Sequence, residues 1–328
     1  MCIRDSGWTM ADSVTFSASG DVNDIGVTLS IELDGDAQSE KVNPAAASAT
    51  ATSSNVVDSH SISLDFGDAG TLVFAGHGGD GFMSANDDVM PTASEEPWDV
   101  VSGGDTKVVN GFSGNNMFTY KYSHDSGLNL TIGYLQSAAG VSVKSYSDYG
   151  VTYTGMEGLT LGYGQGDVEQ TLNTKSDEST MFATYAIGSI TVGLQQSEKD
   201  NETGNDYEST SFGISYQIND DFSVTAGQAS YGEGGFSQPG TDMSGGLAGS
   251  GKLGYLGADD ENMYVGVDYG MGDFTMGLTM NMIGNAENDD YERTVNAFNL
   301  GYTMSDNANL GLSWGSDKVG DADAINYM

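Results

Sequence analysis

The chain has 328 residues, with 47 Asp and Glu against 10 Lys and Arg, a formal charge of −37. That balance excludes nucleic-acid binding, which needs a positive face to meet phosphates. With 47 glycines, four prolines and 10% aromatic residues, collagen and Pro-rich disorder are excluded too. The length permits two globular domains or one large β domain.

From the front of the chain, Met1 to Ser6 (MCIRDS) reads as a spurious leader and is excluded from fold reasoning. The lone cysteine, Cys2, lies inside it, so residues 7–328 offer no disulfide, thiolate metal site or Cys nucleophile. No apolar run approaches the roughly 20 residues of a membrane-spanning helix. The dominant periodicity is two, the period of strands.

Eight hairpins follow in order. Val14, Phe16 and Ala18 lead to Val27, Leu29 and Ile31; Ile62, Leu64 and Phe66 turn at Gly67–Gly70 into Leu72 and Phe74. Phe118, Tyr120 and Tyr122 turn at Asp125–Gly127 into Leu128, Leu130, Ile132 and Tyr134; Tyr149, Val151 and Tyr153 turn into Leu159, Leu161 and Tyr163. Ala183, Tyr185 and Ile187 precede Ile190, Val192 and Leu194, and Phe212 to Ile218 precede Phe222, Val224 and Ala226. Val265, Val267 and Tyr269 with Phe274 to Met280, then Phe298, Leu300 and Tyr302 with Leu310, Leu312 and Trp314, complete the set. The tight links carry Gly, Asp, Asn and Ser, which tolerate the positive φ of hairpin turns.

Longer connections separate the hairpins at about 34–59, 77–116, 164–179, 197–210, 230–262, 284–293 and 316–324, and they contain most of the 47 acidic residues. Alternating short and long links distinguish a transmembrane barrel from a soluble sandwich. Phe66, Tyr122, Tyr153, Tyr185, Tyr216, Phe222, Tyr269, Phe274 and Tyr302 lie on the apolar face near tight turns, as one interfacial aromatic ring. Phe118, Tyr134, Tyr163, Phe182, Phe212 and Phe298 supply a second. The fold class expected is therefore all-β: a transmembrane antiparallel barrel with sixteen strands visible, short periplasmic turns and long extracellular loops. It must close, because open edges in lipid leave backbone groups unpaired.

The succession Ile62–Phe66, Gly67–Gly70, Leu72–Gly76 and then the long acidic segment 77–116 resembles the general porins of alphaproteobacterial outer membranes. The resemblance implies a homotrimer embedded in outer-membrane lipid, and a third exterior loop, here 77–116, folded into the barrel as a constriction. By that pattern the first strand is missing, and Ile325 and Tyr327 begin a last strand left incomplete, so residues 7–328 form one barrel clipped at both ends. The visible strands plus those two suggest 18, whereas the general-porin pattern implies 16; both counts stay open.

A pore needs no catalyst, and signatures of enzymes are absent: there is no Gly-x-Ser-x-Gly elbow or His-Glu-x-x-His, and His60, His77 and His124 read as rim residues. What it needs is a charged constriction. The resemblance implies an eyelet field, assigned to Asp87, Asp88, Glu95, Glu96 and Asp99 against Lys121 and Lys144. The other reading of these acids is a solvated loop surface. By strand parity Glu32, Asp65, Asp148, Asp268 and Arg293 also face the lumen.

The expected function is passive diffusion of ions and small hydrophilic solutes, with a preference for cations. The alternatives are a plugged structural or adhesive outer-membrane barrel whose acidic loops bind a partner or Ca2+, and an acidic soluble β-protein. No cofactor is expected apart from the Ca2+ candidates Asn86-Asp87-Asp88 and Glu287 with Asp289-Asp290, which are also what a solvated acidic surface looks like.

Overall fold

Strict alternation gives each segment one apolar and one polar face, a pattern that only a paired strand can present coherently. The computed structural model describes residues 14–33, 57–76, 79–91, 109, 111, 113–114, 116–136, 143–170, 175–203, 206–231, 236–237, 255–256, 260–285, 293–305, 308–319 and 325–327. The leader, His77, Glu95, Glu96, Asp99, Glu287, Asp289 and Asp290 lie outside them.

The strands are β1 (Val14–Val22), β2 (Ile25–Leu33), β3 (Val57–Asp65), β4 (Thr71–Ala75), β5 (Gly79–Asp80), β6 (Ser113–Gly114), β7 (Met117–Ser123) and β8 (Leu128–Leu135). They continue as β9 (Val143–Met156), β10 (Leu159–Gln170), β11 (Lys175–Ile187), β12 (Ile190–Asn201), β13 (Tyr207–Asn219), β14 (Phe222–Tyr231), β15 (Phe236–Ser237) and β16 (Tyr255–Leu256). Last come β17 (Asp260–Met271), β18 (Phe274–Asn285), β19 (Arg293–Ser305), β20 (Ala308–Val319) and β21 (Ile325–Tyr327). The two-residue pieces pair off separately, β5 with β6 and β15 with β16, and the other 17 strands form one sheet. Each strand of that sheet pairs antiparallel with the next along the chain, so the sheet is an unbroken meander. All eight hairpins expected from the sequence form. In the first, Asn23 and Asp24 both take positive φ (52° and 64°), the two-residue geometry whose twist matches the strands it joins. Among the described residues no ladder pairs β21 with β1.

Burial is inverted relative to a water-soluble protein. Phe16, Ile187 and Leu310 on the outer face are 59%, 60% and 62% exposed, whereas Gln195 and Thr225 on the opposite face are 4% and 3% exposed. An outer surface of exposed Leu, Ile, Val, Met and aromatic side chains has lipid as its solvent.

The wall is also curved. Thr119 on β7 donates to the Asp80 carbonyl, and Tyr264 on β17 donates to the Pro91 carbonyl. The two strands stand eight ladders apart, about 38 Å along a flat sheet. Eleven residues span that only at full extension, about 36–40 Å, and residues 82–87 are turns and bends. The sheet must wrap round the segment for both bonds to exist.

Two expectations are corrected. The segments 164–179 and 197–210 are largely strand rather than loop: β10 runs to Gln170, β11 starts at Lys175, β12 ends at Asn201 and β13 begins at Tyr207; β18 and β20 likewise run on to Asn285 and Val319. Beyond the lipid both faces meet water, so the apolar alternation that marks a strand in sequence stops while backbone pairing continues. Phe182, assigned to the far aromatic ring, points inward and is 7% exposed. The β11 register puts Met181, Ala183 and Tyr185 outward, and Met181 takes the lipid-facing place at 50% exposure.

Adjacent residues on opposite faces of β19 test the inversion. Leu300→Arg, on the outer face between Phe298 and Tyr302, is expected to cost about 2–4 kcal/mol of folding stability in bilayers. Asn299→Arg, on the inner face, is expected to cost much less; urea titration in lipid vesicles compares them.

Candidate functional site: a loop folded into the lumen

On the inner wall the residues that alternate with the apolar stripe are small. Gly133, Gly150, Gly164, Gly193, Gly213 and Gly227 occupy inward positions on β8, β9, β10, β12, β13 and β14, and Gly150 pairs with Gly164, Gly193 with Gly213 and Gly213 with Gly227. The loop fills space left by the missing side chains of Gly150, Gly164, Gly193 and Gly213, while Tyr264 of the wall fills it at Gly227 and Asp148 at Gly133. A Cβ on Gly150 or Gly164 would lie 2.3 or 2.2 Å from the Phe82 ring, and one on Gly193 would lie 2.7 Å from Pro91. Phe82, Met83 and Val109 from the loop join Phe182 from the wall in a buried apolar cluster, with Val89, Tyr207 and Ala229 packed against it. Chain entering and leaving the loop pairs as β5 with β6.

Polar bonds then fix the loop in place. Asp148 Oδ2 accepts the Met83 N–H at 2.9 Å and the Tyr146 hydroxyl at 3.1 Å. Glu178 accepts the Gly111 N–H at 3.1 Å and pairs with Lys199. Gln195 accepts the Val89 N–H at 3.0 Å and donates to the Asn86 carbonyl at 2.9 Å. Within the loop, Asn86 Nδ2 donates to the Phe82 carbonyl and Asp88 Oδ1 accepts the Met90 N–H.

The expected site residues divide accordingly. Asp87 and Asp88 are half-buried inside the wall, against β12. Lys121 is exposed on β7, five ladders from the strand that holds those acids, and makes no ion pair among the described residues. Arg293 pairs with Ile283 at an inward register position of β19, and Lys144 falls between Val143 and Ser145, where the β9–β10 register shifts. Glu32 accepts a bond from Ser59 at 3.1 Å. Asp65 accepts the Gly67 N–H at 2.9 Å beside the tight turn. Asp268 is half-buried and faces inward in register with Ser223. Asp148 faces inward but is 2% exposed beneath the loop, so it serves as an anchor and not as an open charge. Asp21, missed from the sequence, flanks Gly26 opposite Asp65 on the lumen side. Gln195, Glu178, Phe82 and Tyr264 were missed as well. The one available signal was glycine recurring at inward positions of successive strands. Among the described residues no three His, Cys, Asp or Glu side chains converge to hold a metal.

Beyond the lipid belt, the extensions of β10, β11 and β12 carry a half-open depression of about 320 Å³ lined by Asp167, Asp177, Glu178, Glu198 and Asp200. Asp167, Asp177 and Asp200 stand in register across the three strands. A hydrogen bond with Asp167 is the main cause raising the Asp177 carboxyl above the usual Asp range; desolvation and the Asp167 charge add to it, and Lys175 opposes them.

No family model matches the chain, and no curated protein matches it. Solved structures do. An anion-selective porin from Comamonas acidovorans is 17% identical, with a TM-score of 0.52, over 85% of this chain and 80% of that one. OpdK of Pseudomonas aeruginosa, solved with vanillate, is 15% identical, with a TM-score of 0.58, over 98% and 90%. The trimer form of the outer-membrane protein OmpT of Vibrio cholerae is 14% identical, with a TM-score of 0.52, over 98% and 89%. The fold is that of Gram-negative outer-membrane porins, and the apolar outer face gives this barrel the lipid surround of such a membrane.

Two outcomes test the site. Gly150→Ala with Gly164→Ala should displace Phe82 at a cost of about 1–3 kcal/mol, seen as new protease cleavage between residues 79 and 116 with the heat-modifiable barrel intact. The Asp177 carboxyl should titrate above the ordinary Asp value by 13C NMR, and Asp167→Asn should bring it down. Because the folded state holds that proton more tightly than the unfolded chain, the pair favours folding as pH falls through this window and opposes it as pH rises.

Proposed function

We propose that this protein is a homotrimeric outer-membrane porin, akin to the alphaproteobacterial general porins, that passes ions and small hydrophilic solutes by diffusion and favours cations. The observation that carries this reading is the segment from Gly79 to Pro91, held inside the wall by main-chain bonds to Asp148, Gln195 and Tyr264. A bonded, inward-folded loop narrows a lumen without demanding a catalyst, and the strands away from it present Ser61, Ser63, Ser30 and Thr28 inward, a wettable surface.

Cation preference is supported by the sign of the lumen charges. Asp21, Glu32, Asp65 and Asp268 face inward together with the loop acids Asp87 and Asp88, against Lys121; Lys144 and Arg293 are the further lumen bases that strand parity in the sequence proposes. Anion selectivity in a protein of similar fold means that the fold leaves the sign open; side chains near the narrowest point decide it, because at physiological salt fields fade within about 8 Å. Asp87 and Asp88, with Glu95, Glu96 and Asp99, are the proposed acidic side of the eyelet. Two observations weigh against a Ca2+ site at Asp87 and Asp88: Asp88 Oδ1 caps the Met90 amide and Asp87 Oδ1 caps the Asp88 amide.

Planar bilayers decide between channel and adhesin. Ohmic single-channel steps and a cation-selective reversal potential in a KCl gradient are expected. Asp87→Asn with Asp88→Asn should move that potential toward zero, and an electrically silent, correctly folded barrel would leave the adhesive reading.

A further inference from the structure

The strongest unassigned arrangement is the side chain of Gln195, 4% exposed and directed from β12 into the lumen. Its carboxamide meets the loop main chain in both directions. Oε1 accepts the Val89 N–H at 3.0 Å, and Nε2 donates to the Asn86 carbonyl at 2.9 Å and the Asp87 carbonyl at 3.2 Å. The second Nε2 hydrogen goes to Thr180 Oγ1 at 3.0 Å, and Thr180 is in turn hydrogen-bonded to Ser197 Oγ at 2.9 Å. The orientation of the amide follows from the partners: a backbone N–H needs an oxygen opposite it, and two carbonyls need the nitrogen. Both N–H donors and the oxygen of the group are then engaged, in a buried setting where a missing bond is costly.

These bonds bracket residues 86 to 89, the turn that carries Asp87 and Asp88. We infer that Gln195 is the positioning residue of the constriction: by gripping the main chain on both sides of the acid pair, it sets where their charges stand, and so sets the pore's ion selectivity. This rests on the porin reading above and names the wall residue that the eyelet depends on. Asp148 and Glu178 hold the two limbs of the loop near Met83 and Gly111. Neither bonds the turn itself, so ion selectivity should respond to Gln195 more than to them.

Gln195→Leu keeps the size and the inward position but cannot grip the turn, and it adds no charge. In planar bilayers the expected result is roughly a tenfold rise in the time the turn spends detached, read as open-channel noise. The reversal potential should shift toward that of the Asp87→Asn, Asp88→Asn channel. Val89→Pro deletes the amide hydrogen from the loop side and leaves every wall residue intact, so it reports even if Gln195→Leu does not fold; it should shift both readouts the same way. Thr225→Val, on the same inner face and with a hydroxyl that bonds no protein group among the described residues, should match the wild type. Wild-type noise and reversal potential in Gln195→Leu, or in Val89→Pro if only that channel folds, would overturn the inference while leaving the porin reading in place. A wild-type chain that never conducts would overturn the porin reading itself.

Discussion

A backbone that crosses hydrocarbon finds no water, so each N–H and C=O must be paired within the chain or cost several kcal/mol. The antiparallel meander from β1 to β21 meets that demand strand by strand. Once the backbone is paired this way, side chains have only two places to go. Phe16, Ile187, Leu278 and Leu310 go to lipid; Thr119, Gln195 and Thr225 go to the inside. The inverted burial follows from pairing the backbone in an apolar solvent.

The same constraint shapes the interior. Every strand shows its second face to the lumen, and a loop entering there meets a wall of side chains two residues apart. On β8 to β14 those positions include glycines, and the absent Cβ atoms make the floor on which Phe82 and Pro91 rest. Carboxylates that a charge count would credit to the pore are instead used by the loop backbone. Asp148 is enclosed beneath Met83, and Glu178 is engaged by Gly111 and Lys199. The open charge inside the wall is therefore smaller, and differently placed, than −37 suggests.

The alternation made the wall legible residue by residue: Tyr120, Ile132 and Tyr216 could be assigned outward because parity is a local property of each strand. Strand length was less legible. The extension of β10 past Tyr163 to Gln170 and of β11 back to Lys175 carries polar residues on both faces, so no periodicity announces it. Phe182 misled because an aromatic residue near a strand end fits an interfacial ring by type, while its even position put it inside. Lys121 was legible as inward-facing, but its separation from Asp87 around the wall depends on the ladders between β7 and β12.

A resemblance to the general porins marked 77–116 as the candidate constriction; the sequence by itself determined the all-β class, the eight hairpins and the face that most wall residues take. These follow from a two-residue period and from turn residues that tolerate positive φ, both of which act within a few neighbours. Only the tertiary structure decided that Gln195 grips the turn bearing Asp87 and Asp88, that Asp148 is an anchor, and that a glycine floor receives Phe82. Those roles depend on which inward positions of strands far apart in the chain lie beneath the folded-in loop. That placement is set by ladder register and wall curvature, which no single segment encodes.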